Sequence, residues 1–406
     1  MLKIKFANIS LLLVGLFYAW FVLPAVNARF GGGFYNFLFF SCYVLGMAGL
    51  LFSKRGRFRI NKIIVIVAIY CVAILVMTFL GIADASRHVR IGLVFFSTIL
   101  LYFVVLNASE RVKFGKYLLL LFLITCVTSS IGVLVDNRAA RTLTHADADD
   151  VLQYSLRLLN IADIYLFQCM VMIMPALYVA LESKKCLRIL LIVFIGVILM
   201  NASFSISLMI FIVAVFLVFY ETHATSFSRK AVMTLIFAVI MAMLYLVGYE
   251  ILTEISGFIR NNYISVRILN IRDLLYGQTL TDGTLEERLK VYGVSWNTFT
   301  KNILGVGPYY VYTGTAEGVG YHSQILDDFA RYGVFALMMY IAFFREYLRW
   351  LKHEWRKIGQ QWVANATTIL YVLFLLLNIG MRSGIESVVM LFIIPILPEM
   401  ILSRKM

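Results

Sequence analysis

The sequence predicts an all-α polytopic membrane protein, and three observations carry that prediction. Of 406 residues, 62% are hydrophobic and 14% charged, where soluble domains run near half and a quarter. The mean hydropathy is +0.88. The apolar residues also fall in long continuous runs and do not alternate with a period of two, which selects membrane helices over a membrane β-barrel. A water-soluble enzyme is excluded.

At about 20 residues per crossing, this composition accommodates about 12 transmembrane helices. The first run, 9–28, follows a basic amino terminus. Val26-Asn27-Ala28 resembles a cleavage site, but the apolar stretch is long and reads as an uncleaved span. Runs at 34–53, 63–83, 91–108, 117–135 and 164–181 complete a first six. The second six lie at 189–202, 206–220, 231–250, 333–350, 363–379 and 385–402. Pro24 and Pro175 fall within runs, where neighbouring helices tolerate a kink.

The connections alternate between Lys-containing clusters and segments without them, so both termini are expected in the cytoplasm. That arrangement leaves 22 Lys and Arg against 6 Asp and Glu inside, and 14 against 16 outside. The formal charge of +14 is therefore a topology signal and not a sign of nucleic-acid binding. The chain reads as a single integral membrane domain, 1–406, with two large outer loops at 136–163 and 251–332. The five cysteines include no CxxC pair, so neither zinc nor a disulfide is expected.

The 251–332 loop reads as a partly helical module, since structureless loops of that length are rare in compact chains. Thr284 and Glu287 form a capping-box pattern, and Leu285, Leu289, Tyr292, Trp296 and Phe299 mark an apolar stripe on a helix. Arg288 falls on the border of that stripe. After Asn302 the run Gly305-Val306-Gly307-Pro308 turns the chain into a stretch containing Tyr309, Tyr310, Tyr312 and Tyr321. A further helix is expected from near Ser323. His322 precedes it, where the positive end of the helix dipole favours a neutral imidazole able to accept a proton. The segment 251–275, with Arg260 and Arg267 on one side, is expected along the bilayer surface.

The outer face carries 12 Arg and 2 Lys, the inner face 10 Arg and 12 Lys. Positive-inside selection does not separate the two residue types, so the outer preference for the planar fork points to phosphate or carboxylate recognition. Arg90, Arg138, Arg141, Arg272 and Arg288 are the expected anion-binding residues. Asp147, Asp149 and Asp150 give an Asp-x-Asp spacing beside His145, but the Gly and Glu of a calcium loop are absent, and no metal site is expected.

The run from Arg288 through Asn302-Ile303-Leu304-Gly305-Val306-Gly307, then His322-Ser323 and Gly333, resembles the large periplasmic loop of the O-antigen polymerase and ligase superfamily, including Wzy-type polysaccharide polymerases. Two departures stand out. Ser203-Phe204-Ser205-Ile206-Ser207 lacks the arginine often found there, and Val334-Phe335-Ala336 replaces the Thr pair that often follows the glycine in ligases. The second favours a polymerase. The resemblance implies a GT-C-like fold in a bacterial inner membrane and a substrate of oligosaccharide repeat units on undecaprenyl diphosphate. It further implies no cofactor, with a flippase and a chain-length-regulating co-polymerase as partners. In this reading His322 and Arg288 are catalytic, Arg138, Arg141, Arg288, Arg90 and Arg272 hold the diphosphate, and Tyr309, Tyr310, Tyr312 and Tyr321 bind sugar. The alternatives are an O-antigen ligase acting on lipid A core and a transporter of lipid-linked oligosaccharide or other cargo.

Overall fold

A computed structural model describes residues 2–53, 61–79, 94–143, 149–202, 205–223, 227–259, 262–277, 284–307, 318–378 and 384–405. Among the described residues every regular element is a helix. The described parts of the apolar runs lie on helices. Among the described residues, three helices, Gly33–Ser53, Ala108–Val135 and Ile385–Ser403, are long and apolar enough to cross a membrane. Six shorter apolar helices lie at Asn8–Val22, Lys62–Ala73, Val94–Val105, Tyr165–Ala180, Ile206–Thr222 and Trp362–Leu377.

The first run is two helices, not one. Leu2–Val22 stops at an extended Leu23, and Pro24 opens Pro24–Arg29, because proline starts a helix readily but cannot continue one. Pro175 by contrast sits inside Tyr165–Ala180 without ending it. The expected run 333–350 is part of a longer helix, Gln324–Arg356, interrupted at Gly333 by a left-handed residue with φ 59°.

The chain divides into two compact units. One comprises Met1–Lys185, Met339–Thr368 and Met381–Met406. Within it, Leu2–Val22 packs along Gly33–Ser53, and Tyr18 donates or accepts at Thr98 Oγ1 at 2.9 Å. Two helices widen into π turns, Leu101–Val105 and Val389–Ile393. The wide turns meet through Tyr102 and Phe392, whose rings lie 5.6 Å apart, and Tyr102 Oη donates to the Pro395 carbonyl. At one end of this unit Lys357 bridges Glu354 at 2.6 Å and Glu399 at 2.9 Å, while Arg111 contacts Glu399 at 3.5 Å.

In the same unit the 136–163 segment holds two short helices, Ala139–Thr142 and Asp150–Leu158. Ala139, Leu143, Leu156 and Ile161 bury together beneath them. Asp149 caps the second helix by accepting the Val151 N–H at 2.9 Å, so this carboxylate of the acidic cluster serves a helix end. Asp147 and His145 lie outside the described residues.

The other unit comprises Cys186–Met338 and Ile369–Gly380. Its helices Phe227–Phe258 and Asn262–Leu275 pack on each other, and the Thr284–Lys301 helix leads into the segment that builds the site.

Candidate functional site

The site is assembled by three short segments around the Thr284–Lys301 helix. The first is a pair of glycine turns. Gly305 and Gly333 both have positive φ, 85° and 59°, and each leaves no room for a Cβ: one on Gly305 would meet the Arg331 carbonyl, and one on Gly333 the Ile303 carbonyl. The break at Gly333 exposes backbone groups that a continuous helix would satisfy internally. The loop takes them up. Val306 and Gly307 donate to the Ala330 and Arg331 carbonyls, each at 2.9 Å, and Val334 donates to the Ile303 carbonyl at 2.8 Å. The Asn302–Gly307 run and Gly333, far apart in the sequence, thus form one joint.

The second segment is the extended strap 318–323, laid across hydroxyls of the Thr284–Lys301 helix. Gly318 N–H donates to Thr298 Oγ1 at 2.6 Å, and Gly320 N–H to Ser295 Oγ at 2.8 Å. Ser295 and Thr298 are wholly buried, whereas Leu289 and Trp296 are about half exposed. The buried face of this helix is therefore rotated from the apolar stripe expected from its sequence, because two hydroxyls are needed to satisfy the strap's backbone. The expected capping box at Thr284 and Glu287 involves side chains outside the described ones.

The third segment is the start of the Gln324–Arg356 helix. Ser323 caps it, its Oγ accepting the Leu326 N–H at 3.1 Å. Asp327, 3% exposed, accepts from Ser295 Oγ at 2.7 Å and from the Ser323 N–H at 3.3 Å. One carboxylate thereby ties helix, strap and cap together. Burial pushes its pKa up to about 6, against the opposing pull of the Ser295 hydrogen bond and the Arg331 charge. Gln324 N–H donates to the Asn378 carbonyl at 2.8 Å, and Tyr292 Oη donates to the Leu377 carbonyl at 2.6 Å. The end of Trp362–Leu377 is fixed to the same cluster.

His322 sits at the tip of this construction, with an exposed ring. Its Nδ1 lies 3.1 Å from the Gly320 carbonyl. A carbonyl only accepts, so this bond places a proton on Nδ1. Tyr321, in a left-handed conformation with φ 59°, presents one ring face to the Arg331 guanidinium at 5.0 Å. Arg331 also contacts Asp328 at 3.6 Å.

The expected anion-binding arginines are distributed between the units. Arg288, half-buried on the Thr284–Lys301 helix, belongs to the unit that contains His322. Arg138, exposed, and Arg141, half-buried, belong to the other. Arg272 is engaged by its own surroundings: it donates to Asp273 at 2.6 and 2.8 Å and to Thr253 at 2.9 Å, and its guanidinium lies 4.7 Å over Tyr249. Arg90, Tyr309, Tyr310 and Tyr312 lie outside the described residues.

Ser295, Thr298, Asp327 and Asp328 were not among the sequence candidates. Their signal was present but polar: hydroxyls three apart on one helix face, and two acids in the first turn of a capped helix, where the dipole favours negative charge.

Residues 189–341 match the family model described as O-antigen ligase. The matched stretch contains the Gly305–Gly333 joint, the strap and His322. No curated protein matches the chain. The match supports the O-antigen ligase and polymerase superfamily, a membrane glycan-processing function and a glycosyltransferase-like activity.

Proposed function

We propose that the chain is a polysaccharide polymerase that joins undecaprenyl-diphosphate-linked oligosaccharide repeat units at the periplasmic face of a bacterial inner membrane. The observation that carries this reading is the O-antigen ligase match over 189–341, which covers the segment where the exposed His322 ring is oriented by the Gly320 carbonyl. In the reaction, a sugar hydroxyl oxygen of one unit forms a bond to the anomeric carbon of another. The bond from that carbon to the lipid diphosphate breaks, and the diphosphate leaves with the electron pair. His322 Nε2 takes the hydroxyl proton. A diphosphate is a good leaving group without protonation, so the remaining task is to neutralise its charge. Arg288, in the same unit as His322, is proposed for that task.

Guanidinium groups can do this without a metal, and the proposed reaction needs no cofactor. Tyr321, with Tyr309, Tyr310 and Tyr312, is proposed to stack its ring on a sugar face. About 12 transmembrane helices with both termini cytoplasmic, and a flippase and a chain-length regulator as partners, complete the proposal.

A second reading is favoured by the family description itself. A ligase would use the same donor and the same charge stabilisation but deliver the glycan to lipid A core. The two are separated by incubating purified protein with lipid-linked repeat units, with and without core acceptor. A ladder of products formed without the acceptor is the expected result. A single shifted product formed only with it establishes the ligase, and no new glycosidic bond in either arm removes both.

A further inference from the structure

The Ala108–Val135 helix starts at a capping box between Asn107 and Glu110, followed by Arg111, Lys113 and Lys116, and ends at Asp136. Its exposed side chains from Leu120 to Val135 are apolar, with Val127, Ile131 and Leu134 each more than half exposed. That is the surface of a membrane span facing lipid. Thr128 lies two turns short of the Val135 end, about 10 Å along the axis at about 1.5 Å per residue.

The chain returns to this depth after the Asp150–Leu158 helix. Asn160, left-handed at φ 59°, accepts the Thr128 hydroxyl on its carbonyl at 2.8 Å. Its side-chain amide donates to Thr128 Oγ1 at 3.0 Å and accepts the Ala25 N–H at 3.3 Å. Its own N–H reaches the Arg157 carbonyl at 2.9 Å, and Ala162 N–H reaches Ser129 Oγ at 2.9 Å. Such satisfaction of the polar groups of Asn160 is what backbone at membrane depth requires.

The helix that leads down to Asn160 carries Val151, Leu152, Tyr154, Leu158 and Leu159 exposed, by 38% to 71%. At about 100° per residue these five cover one side of the helix, and Asp150, Gln153 and Arg157 the other. Leu156, between the two, is the residue buried against the protein. Ser155, within the apolar face, turns its hydroxyl back to the Val151 carbonyl at 2.8 Å, so its donor is met within the helix. Arg157 sits on the polar edge, from which its long stem can reach headgroups.

We propose that the chain from Asp149 to Asp163 is not a water-exposed loop but a re-entrant one: the Asp150–Leu158 helix descends into the leaflet nearer Val135, its apolar face bedded in lipid acyl chains. The occupant is the bilayer itself, since the Thr128–Asn160 bonds hold the end of this helix about 10 Å along the Ala108–Val135 span from its Val135 end, beside that span's exposed apolar side chains. This inference holds whichever glycosyl transfer the protein performs.

The test is nitroxide labelling of the full chain in phosphatidylethanolamine and phosphatidylglycerol nanodiscs. Leu158→Cys and Leu159→Cys are compared with Asp150→Cys, all in a Cys186→Ser background, because Cys186 is the exposed native thiol. Cys186→Ser alone gives the baseline. Relaxation by oxygen relative to a water-soluble nickel chelate should be several-fold higher at 158 and 159 than at 150. Nickel relaxing all three positions alike would mean water and would overturn the proposal. Low access of both reagents at 158 and 159 would mean protein covers the face, and would overturn it equally.

Discussion

At the residue scale, the proposed chemistry gathers on His322 and the groups that hold it. The ring is exposed and oriented by the strap carbonyl at Gly320, so its removal should leave the fold standing. General-base catalysis contributes about 10² to 10⁴ in rate, and His322→Ala is expected to lose polymerisation by that factor while its thermal unfolding stays near wild type. Turnover near normal in the folded variant would take the histidine out of the reaction. Asp327 gives a different signature. Its pKa, 3.8 when free and about 6 when folded, means the folded state holds the proton more tightly than the unfolded one. Stability from this group is therefore largest below pH 3.8 and is lost as pH rises through about 6, a change on the order of 3 kcal/mol. Asp327→Asn should flatten that part of the stability profile, read by thermal unfolding from pH 4 to pH 7. Of these two residues the sequence exposed only His322. Asp327 reads as one acid of a pair at a helix start, and only the arrival of Ser295 from another helix gives it a role.

At the element scale, the joint between the 302–307 loop and the helix break is what lets a long helix and a short loop share one backbone hydrogen-bond set. Gly333→Ala introduces a Cβ against the Ile303 carbonyl and within 2.6 Å of the Gly305 nitrogen, at a positive φ. Both objections are backbone, which cannot rotate away, so a loss of at least about 2 kcal/mol is expected. Gly359 provides the matched control: its φ is 72°, yet nothing lies within 4 Å of its added Cβ. Gly359→Ala should cost only the conformational term, about 1 to 2 kcal/mol. Equal losses in chemical unfolding of the two variants would dismiss the joint as a special contact. The helix containing Ser295 shows why apolar periodicity misplaces a face. Leu289 and Trp296 looked like core, but the segments that pack against the helix bring unsatisfied amides, and those demand hydroxyls.

At the scale of the whole molecule, charge and hydropathy settle the class of protein, and the proposed reaction sets its demands on the outer arginines. If guanidinium groups alone neutralise the departing diphosphate, full chelation should leave the polymer ladder unchanged. Activity lost to chelator and restored by a divalent ion would instead assign the charge to a metal. Arg288→Ala should reduce turnover by orders of magnitude, with Arg288→Lys recovering little, since the planar two-pronged contact is lost even though the charge remains.

Composition and periodicity alone determined that this chain is helical and membrane-embedded, because the length and continuity of an apolar run are local properties of the sequence. The pairing of Asn302–Gly307 with Gly333 was visible as a motif but not as a contact. Only the tertiary structure decided that these glycines interlock, that Ser295, Ser323 and Asp327 converge below His322, and that Asn160 returns to the depth of Thr128. Each of these depends on polar groups from segments distant in sequence satisfying one another out of water, and no local pattern records which partner will arrive.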